Sequence, residues 1–268
     1  MKYIDVSEHQ GVIAWEAVKG NVDGVILRAG YGKNNIDKYF HRNASECNRL
    51  GIPCGAYWFS YAYTEDMALL EAAYLVQAAG QHRMELPLAF DWEYDSRKYA
   101  EKQGVKVTAA LVKDMTNAFC QYVENKKYYC MLYANPDYIS QFFGTLAGGR
   151  YDLWLAAWPN IVDVSKPPRK CGIWQWGSSR VPGIGSDVDT NEAYHDYAAM
   201  LAGKQPQPEP PPVEEKPSAS PQPWYTDAQQ WAVTNHIADG TRPTEAATRA
   251  EVWQMLYNYA KSKEDDGR

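Results

Sequence analysis

The feature that most constrains the fold is a series of short apolar runs, most of them separated by stretches with helical periodicity. Eight runs of strand length begin at Tyr3, Val25, Ile52, Leu86, Tyr128, Leu153, Gly172 and Val188. Alternating strand and helix signals are typical of a parallel sheet wrapped by helices. The last three runs lie too close together to hold full helices between them. We therefore predict an α/β fold: an irregular TIM-like β/α barrel with incomplete helices in its second half.

Two helices of this pattern have clear start signals. The segment 65–79 follows Thr64 and places Met67 and Leu70 on one face. A second long helix follows Thr108, with apolar residues at helical spacing as far as Tyr122. Threonine is a common N-cap, so both helices are predicted to begin immediately after it.

The composition changes abruptly after Gly203. Eight of the 16 prolines fall within residues 204–223, which predicts an extended, semi-rigid linker. Residues 224–268 again have a folded pattern, with one helix predicted over 227–236 and a second opened by the capping box Thr248–Glu251. We therefore predict a catalytic barrel over 1–203, the linker, and a small, mainly helical module over 224–268.

Charge and hydropathy exclude several classes of partner. The net charge is -6 and there is no block of basic residues, so nucleic acid is not an expected partner. No apolar run approaches the roughly 20 residues of a membrane span, so no membrane partner is expected. The N-terminus from Met1 has no signal-peptide pattern, which predicts synthesis in the cytoplasm without a signal peptide. The five cysteines show no C-x-x-C spacing and are interpreted as reduced core thiols.

Asp91 and Glu93 stand two residues apart after the apolar run that ends at Phe90. On an extended strand, side chains at this spacing point to the same face. Two acids held together among aromatic residues are partly desolvated and repel each other, so one is pushed toward staying protonated near neutral pH. Such a pair can protonate a glycosidic oxygen while the second carboxylate stabilises the resulting cation. The alternative interpretation is that the two acids only form the polar rim of a sheet.

Two further acids, Asp5 and Asp189, also fall at strand ends. Catalytic residues of parallel barrels lie at the C-terminal ends of the strands, so the four acids are expected to meet in one cleft. Tryptophan and tyrosine, with 10 and 20 copies against six phenylalanines, suit sugar stacking as well as core packing. The candidate substrate-binding residues are Arg28, Tyr31, Tyr57, Trp58, Trp92, Tyr133, Trp154, Trp158 and Trp176.

At this point the sequence resembles a known family, the glycoside hydrolase family 25 muramidases, or Chalaropsis-type lysozymes of phage endolysins and bacterial autolysins. The matching motifs span residues 1 to about 200: I-D-V-S-E-H-Q-G, V-I-L-R-A-G-Y-G, G-I-P-C-G-A-Y-W-F-S-Y-A, F-D-W-E, L-W-L-A-A-W, I-W-Q-W and V-D-T-N. The resemblance implies cleavage of the β-1,4 bond between N-acetylmuramic acid and N-acetylglucosamine in bacterial peptidoglycan. It also implies catalysis without a metal or cofactor.

The resemblance assigns a role to each acid. Glu93 would be the general acid, and Asp91 would stabilise positive charge either at the anomeric carbon or by orienting the N-acetyl group of the substrate. Asp5 and Asp189 would be supporting acids, with turn or capping duty as the structural alternative. Asp187 competes with Asp189 for the last position. Arg28 is interpreted either as a buried partner of one of these carboxylates or as part of a structural ion pair.

The C-terminal module resembles a single S-layer homology motif. The matching residues include Trp231 and the T-R-A-E run that contains Arg249 and Glu251. The resemblance implies binding to a secondary cell-wall polymer, with Arg249 as a contact. A module of about 40 residues struggles to bury a core alone, so pairing of two or more chains is a hypothesis, and docking on the barrel is the alternative.

Two other functions compete with the muramidase. A chitinase-like glycosidase is disfavoured because Ala89 occupies the position where barrel chitinases carry an additional acid. An inactive wall-binding protein is disfavoured because all four acids are present. The enzyme is expected to act on the cell wall after release from the cell that makes it, as phage endolysins do during host lysis.

Overall fold

The structure is a computed structural model that describes residues 1–159, 163–208, 223–235, 237–238 and 247–265. The chain separates into two compact units, Met1–Glu209 and Pro210–Arg268. In the described ranges, no helix is long and apolar enough to cross a bilayer.

The first unit is built on one closed sheet. Its strands are β1 (Lys2–Val6), β2 (Gly24–Tyr31), β3 (Asn35–Ile36), β4 (Cys54–Phe59), β5 (Leu88–Asp91), β6 (Cys130–Ala134), β7 (Asp152–Ala156), β8 (Ile173–Ser179) and β9 (Val188–Ala193). The order is β1-β9-β8-β7-β6-β5-β4-β2-β3, and a parallel β1–β2 pair closes the sheet into an eight-stranded barrel. The short strand β3 lies outside the barrel, antiparallel to β2. The predicted α/β barrel is therefore confirmed.

The direction of the last strand differs from the parallel sheet that the sequence suggested. Strand β9 runs antiparallel to both of its neighbours, β8 and β1. Residues 180–187 connect β8 to β9, and a parallel crossover needs a dozen or more residues. The short connection therefore forces a hairpin, and the barrel is mixed.

Helices cover mainly the first half of the barrel, as predicted. They are α1 (Trp15–Val18), α2 (Phe40–Leu50), α3 (Glu65–Ala79), α4 (Tyr94–Lys102), α5 (Ala109–Asn125), α6 (Pro136–Tyr138) and α7 (Tyr197–Leu201), with a π-helical turn at Ile139–Phe143 and 3₁₀ turns at Glu8–Gln10 and Gly144–Leu146. The hydroxyls of Thr64 and Thr108 accept hydrogen bonds from the backbone N–H groups of Met67 and Leu111, so both predicted caps are confirmed. Helix α4 was not predicted, because its sequence is almost wholly polar.

The core has two layers, one on each side of the sheet. Strand β5 shows the alternation that separates them: Leu88 and Phe90 pack in the outer layer against the helices, whereas Ala89 packs inside the barrel. Successive side chains of a strand point to opposite faces, so Asp91 shares the inner face with Ala89. This register directs a carboxylate into the mouth of the barrel.

The first unit continues beyond the expected boundary at residue 203. The side chain of Gln205 is buried, and its amide donates hydrogen bonds to the carbonyl oxygens of Met84 (2.9 Å) and Leu86 (3.1 Å). The side-chain oxygen of Gln205 accepts a hydrogen bond from Tyr129 N at 3.2 Å. Gln205 therefore attaches the end of the first unit to the backbone of residues 84, 86 and 129, and any linker begins after Gln205.

The second unit contains helices α8 (Pro223–Thr234) and α9 (Arg249–Asp265). The capping box predicted at the start of α9 is present, since Thr248 N donates to Glu251 Oε2 (2.7 Å) and Glu251 N donates to Thr248 Oγ1 (3.3 Å). The first helix begins earlier than the predicted 227–236. Most of the predicted linker lies outside the described residues.

Candidate active site

A pocket of about 290 Å³ opens at the end of the barrel where the parallel strands finish. It is lined by Asp5, Val6, Ser7, His9, Gln10, Arg28, Tyr57, Phe59, Asp91, Glu93, Tyr133, Trp154, Gln175 and Asp189. All four acids predicted from the sequence are therefore brought to one opening. Asp189 reaches it from the start of β9 rather than from a strand end, because β9 runs antiparallel and its register pairs Asp189 with Asp5.

Asp91 and Glu93 enter the pocket from consecutive elements. Asp91 is the last residue of β5, and Glu93 is the N-cap of α4 with extended backbone angles (φ -140°, ψ -157°). Trp92, between them, points the other way and donates its indole N–H to the carbonyl oxygen of Ala62 at 3.0 Å. The alternation expected of a strand therefore holds for one residue beyond the strand itself.

Burial shifts both carboxylates toward their protonated forms. Desolvation raises the pKa of Asp91 well above its ordinary value, and the charges of Glu93 and Asp5 add to the shift while Arg28 opposes it. Desolvation also raises the pKa of Glu93, with further contributions from Asp95 and Asp189. Asp91 Oδ1 is buried and has no hydrogen-bond partner in the described part of the chain. A buried polar atom of this kind needs a partner, and a bound ligand can supply one.

Asp5 and Asp189 form the opposite wall. Asp5 Oδ2 accepts hydrogen bonds from the side-chain amides of Asn191 (2.8 Å) and Gln175 (3.0 Å). Burial raises the pKa of Asp5 to about 7, and the charge of Asp189 adds to the shift, although the two amide hydrogen bonds oppose it. Burial likewise raises the pKa of Asp189. Near neutral pH this pair therefore retains proton-binding capacity that two exposed aspartates would lack.

Gln175 forms hydrogen bonds with both the acidic and the aromatic residues around the pocket. Sequence analysis did not single it out. Besides its bond to Asp5, its amide lies 3.5 Å from Asp189 Oδ2. Its oxygen accepts hydrogen bonds from the hydroxyl of Tyr133 (3.0 Å) and the indole N–H of Trp158 (3.2 Å). The available signal was its position: in I-W-Q-W the residue between two tryptophans must face the barrel interior if they face outward.

The aromatic candidates divide according to the face of their strand. Tyr57, Tyr133 and Trp154 line the pocket. Trp154 is almost fully buried, and its indole N–H donates to Asn191 Oδ1 at 2.7 Å. Trp158 is 54% exposed at the edge of the opening, where Gln175 holds it.

Three of the predicted sugar-stacking tryptophans are placed differently. Trp58 and Trp92 are fully buried in the outer core layer, so neither ring can contact a sugar, and the prediction is wrong for them. Trp176 is half-buried against the same outer layer and does not line the pocket. The reason is strand alternation: each is adjacent in sequence to an inward-facing residue and therefore turns outward. Tyr31 lies in a neighbouring cleft.

Arg28 lines the pocket but does not pair with any of the four acids. Its guanidinium donates to Asp37 Oδ2 and Glu8 Oε1, both at 2.9 Å. Of the two interpretations of Arg28, the structure therefore shows the structural ion pair and not a pairing with one of the four acids. Asp37 is itself buried, so the pair fixes a positive charge near the pocket, and that charge lowers the pKa of Asp91.

The candidate wall-binding residues belong to the second unit. Trp231 is 52% exposed on α8, and its ring centroid lies 6.2 Å from that of Tyr259 on α9. Glu251 forms the capping box at the start of α9, which is a structural duty. The side chain of Arg249 lies outside the described residues.

Within the ranges that the structure describes, no group of three or more His, Cys, Asp or Glu side chains has a metal-binding arrangement. The five cysteines are buried free thiols. Burial raises the pKa of Tyr57 and Tyr133 well above the ordinary value, so both hydroxyls stay protonated and can donate hydrogen bonds in the pocket.

Comparison with protein-family models finds one match. Residues 4–184 match the model described as "Glycosyl hydrolases family 25", which covers most of the first unit. A comparison with curated protein sequences found no match.

Solved structures of similar fold include a bacterial lysozyme, the catalytic domain of a phage endolysin and a bacterial autolysin. The bacterial lysozyme from Streptomyces coelicolor has 25% identity and a TM-score of 0.62, with 76% of this chain and 96% of that chain covered. The catalytic domain of endolysin ply40 from bacteriophage P40 of Listeria monocytogenes has 24% identity and a TM-score of 0.62, with 76% and 97% covered, and shows the fold alone. The modular autolysin LytC from Streptococcus pneumoniae, solved with a synthetic peptidoglycan ligand, has 28% identity and a TM-score of 0.59 over 71% of this chain. The match covers 46% of the LytC chain, less than half its length.

Proposed function

Because this chain belongs to the glycosyl hydrolases family 25, we propose that it is an N-acetylmuramidase that cleaves the β-1,4 bond between N-acetylmuramic acid and N-acetylglucosamine in peptidoglycan. Family membership makes it a glycoside hydrolase, and the similar lysozyme, endolysin and autolysin structures support a peptidoglycan hydrolase that acts on the cell wall. The observation that carries the finer assignment is the pairing of Asp91 and Glu93 in one pocket.

Glu93 is the proton donor in this proposal. It is less buried than Asp91, so a leaving-group oxygen in the pocket can reach it. Burial and the nearby charges of Asp95 and Asp189 raise its pKa, which keeps a proton available closer to neutral pH. Protonation of the glycosidic oxygen breaks the bond and leaves positive charge on the sugar ring.

Asp91 stabilises that positive charge. It does so either directly at the anomeric carbon or by accepting a hydrogen bond from the N-acetyl group that attacks this carbon. Its unpartnered Oδ1 supports both forms, since a ligand N–H or a developing cation would supply the missing interaction. Arg28 opposes the rise in the pKa of Asp91 and so favours the ionised state that this role requires.

Asp5 and Asp189 are supporting acids. A proton shared at this pair near neutral pH reduces the negative charge that faces Asp91, which allows Asp91 to ionise. Both pocket tyrosines stay neutral, so Tyr57 can donate its hydroxyl proton to a sugar oxygen, whereas Tyr133 donates its proton to Gln175 and offers its hydroxyl oxygen as an acceptor.

Turbidity of purified Gram-positive cell walls distinguishes this enzyme from an inactive wall-binding protein. The full chain is expected to clear the suspension and to release reducing sugars in parallel. Binding to the walls without clearing would contradict a hydrolase. Chitin oligosaccharides provide the second arm, and faster cleavage of chitin than of peptidoglycan would favour the chitinase-like alternative.

For the second unit we propose binding to a secondary cell-wall polymer, with pairing of two or more chains through residues 224–259. Exposed apolar side chains support pairing: Trp231, Trp253, Leu256 and Tyr257 are 52%, 61%, 60% and 56% exposed. Such surfaces in so small a unit favour burial against another copy. Light scattering of the full chain should give a mass above the monomer, and a strictly monomeric mass would contradict the pairing.

A further inference from the structure

A second cleft lies on the same rim of the barrel, between the turn that follows β2 and helix α4. Its volume is about 590 Å³. We call it the tyrosine–lysine cleft, after six of its nine lining residues: Tyr31, Lys33, Tyr61, Lys98, Tyr99 and Lys102. None of these side chains serves the chemistry assigned to the four acids.

A row of rings connects this cleft to the active site. The Arg28 guanidinium, which lines the active-site pocket, lies 5.2 Å from the ring centroid of Tyr31. Phe59, also in that pocket, lies 5.2 Å from Tyr61, and Tyr61 lies 5.3 Å from Tyr99. A ligand attached to a sugar in the active site can therefore continue along an aromatic surface into the cleft.

Glycine makes this surface possible at the turn. Gly32 has φ +51°, and a Cβ added there would lie 3.2 Å from the Tyr61 ring. The backbone of the turn therefore approaches the ring closely, and Tyr61 remains half-buried as the floor of the cleft.

The charge of the cleft is opposite to that of the active site. Lys33, Lys98 and Lys102 are all exposed. Lys98 pairs with Asp95 at 2.9 Å, but the two side chains are 67% and 66% exposed, so water screens the pair and a ligand can displace it. Lys33 and Lys102 have no ion-pair partner among the described residues. The cleft thus combines a net positive charge with an apolar wall.

We infer that the tyrosine–lysine cleft binds the stem peptide of the muramic acid residue at which the chain is cut. This inference rests on the proposed function, because muramic acid carries the peptide and has to occupy the adjacent pocket. The lysine ammonium groups meet the carboxylates of the peptide, and the tyrosine rings pack on its alanine methyl groups. A phosphate-bearing wall polymer is the less favoured ligand. Its phosphate groups would interact with the lysines but would make no favourable contact with the three tyrosine rings.

The test compares hydrolysis of two glycan substrates free of wall polymers, one with intact stem peptides and one stripped of them by an amidase. The wild-type chain should have a kcat/KM about 10-fold higher on the peptide-bearing strands, and the preference should weaken as salt screens the lysines. The variant K33A/K102A should lose most of that preference. The matched control K2A/K19A removes two exposed lysines near the starts of β1 and β2 and should keep it.

Each other outcome overturns the inference. Equal kcat/KM on both substrates with the wild-type chain, or an unchanged preference in K33A/K102A, would show that the cleft does not bind the peptide. A third substrate, peptide-free strands that retain the wall-polymer phosphate, tests the other ligand: faster cleavage of it by the wild-type chain than by K33A/K102A would assign the cleft to phosphate instead. Failure to cleave either substrate would overturn the proposed function itself, and this inference with it.

Discussion

At the scale of single residues, Asp91 and Glu93 differ in access to solvent. Asp91 is 4% exposed, whereas Glu93 is half-buried at the start of α4. A charge-stabilising group benefits from a dry site, and a proton donor has to exchange its proton with water after each turnover. The two positions therefore suit the two roles proposed for them.

Removing either group should block lysis without unfolding the chain. Glu93→Gln keeps the shape of the side chain but cannot supply the proton, so kcat should fall by roughly 10²–10⁴-fold. Asp91→Asn should lower kcat severely, because the variant lacks the negative charge that stabilises the sugar cation. Wall clearing measures the loss and thermal unfolding serves as the folding control. Normal clearing by Glu93→Gln would remove Glu93 as the acid.

Gln175 offers a prediction that the sequence did not suggest. Gln175→Glu keeps its shape but replaces the amide that donates to Asp5 with a fifth carboxylate. The added charge should raise the pKa of Asp5 and of the other pocket carboxylates further, so Asp91 is less ionised at neutral pH. We therefore expect kcat/KM at neutral pH to fall about 10-fold or more and the optimum to move to higher pH. The exposed substitution Gln81→Glu adds the same charge as a control. A pH–rate profile of Gln175→Glu that matches the wild type would contradict this role.

The residues of the site could be predicted only in part. Asp5, Asp91 and Glu93 follow from their positions near the ends of β1 and β5, whereas Asp189, at the start of β9, follows from the family motif. The prediction for Trp58 and Trp92 was wrong because it considered only that they lie near strand ends. The alternation of faces along a strand places both side chains in the core. The partners of Arg28, Glu8 and Asp37, come from separate loops, and no local pattern could connect them.

At the scale of elements, Glu71 joins helix α3 to the end of β4. It is buried, and its carboxylate accepts hydrogen bonds from the hydroxyl of Ser60 and from Tyr61 N. Burial raises the pKa of Glu71 from 4.5 to about 7. The folded state therefore binds a proton that the unfolded state has already lost over this interval, and stability falls as the pH rises from 4.5 to about 7.

Glu71→Gln should remove this pH dependence. Between pH 5 and pH 7 the wild-type free energy of unfolding should fall, relative to the variant, by about 1.4 kcal/mol per pH unit at most. Urea unfolding of both proteins at pH 5, 6, 7 and 8 measures the difference. Parallel stability curves over this range would contradict a raised pKa at Glu71.

Element boundaries were predictable where one side chain sets them. Thr64 and Thr108 fixed the starts of α3 and α5, since each hydroxyl occupies a backbone N–H of the first turn. The direction of β9 depends on the length of the preceding connection, and the apolar run itself carries no information about it. Helix α4 has no apolar stripe that periodicity could detect, and it begins at a capping box that Glu93 forms with Ser96.

At the scale of the whole molecule, the first unit ends with a buried side chain rather than at the composition change. Gln205 makes three hydrogen bonds to backbone groups of Met84, Leu86 and Tyr129. Composition alone placed the boundary at residue 203, because the proline-rich pattern begins immediately afterwards. The sequence alone does not reveal that Gln205 is buried, because its hydrogen-bond partners lie far away along the chain.

The position of this boundary has a measurable consequence. A chain that ends at residue 208 should melt roughly 5 to 10 °C higher than one that ends at residue 203, because each lost hydrogen bond costs about 1 kcal/mol. Both truncations lack α8 and α9, so each serves as the control for the loss of the second unit. Calorimetry of the two chains measures the difference, and equal melting temperatures would show that Gln205 does not stabilise the barrel.

In the proposed reaction, Glu93 and Asp91 cut the glycan on the reducing side of N-acetylmuramic acid. The most direct measurement is mass analysis of borohydride-reduced products after the full chain digests purified peptidoglycan, with Glu93→Gln as the blank. We expect new muramitol ends from the wild-type chain and none from the variant. New glucosaminitol ends, or equal muramitol release by the variant, would contradict it.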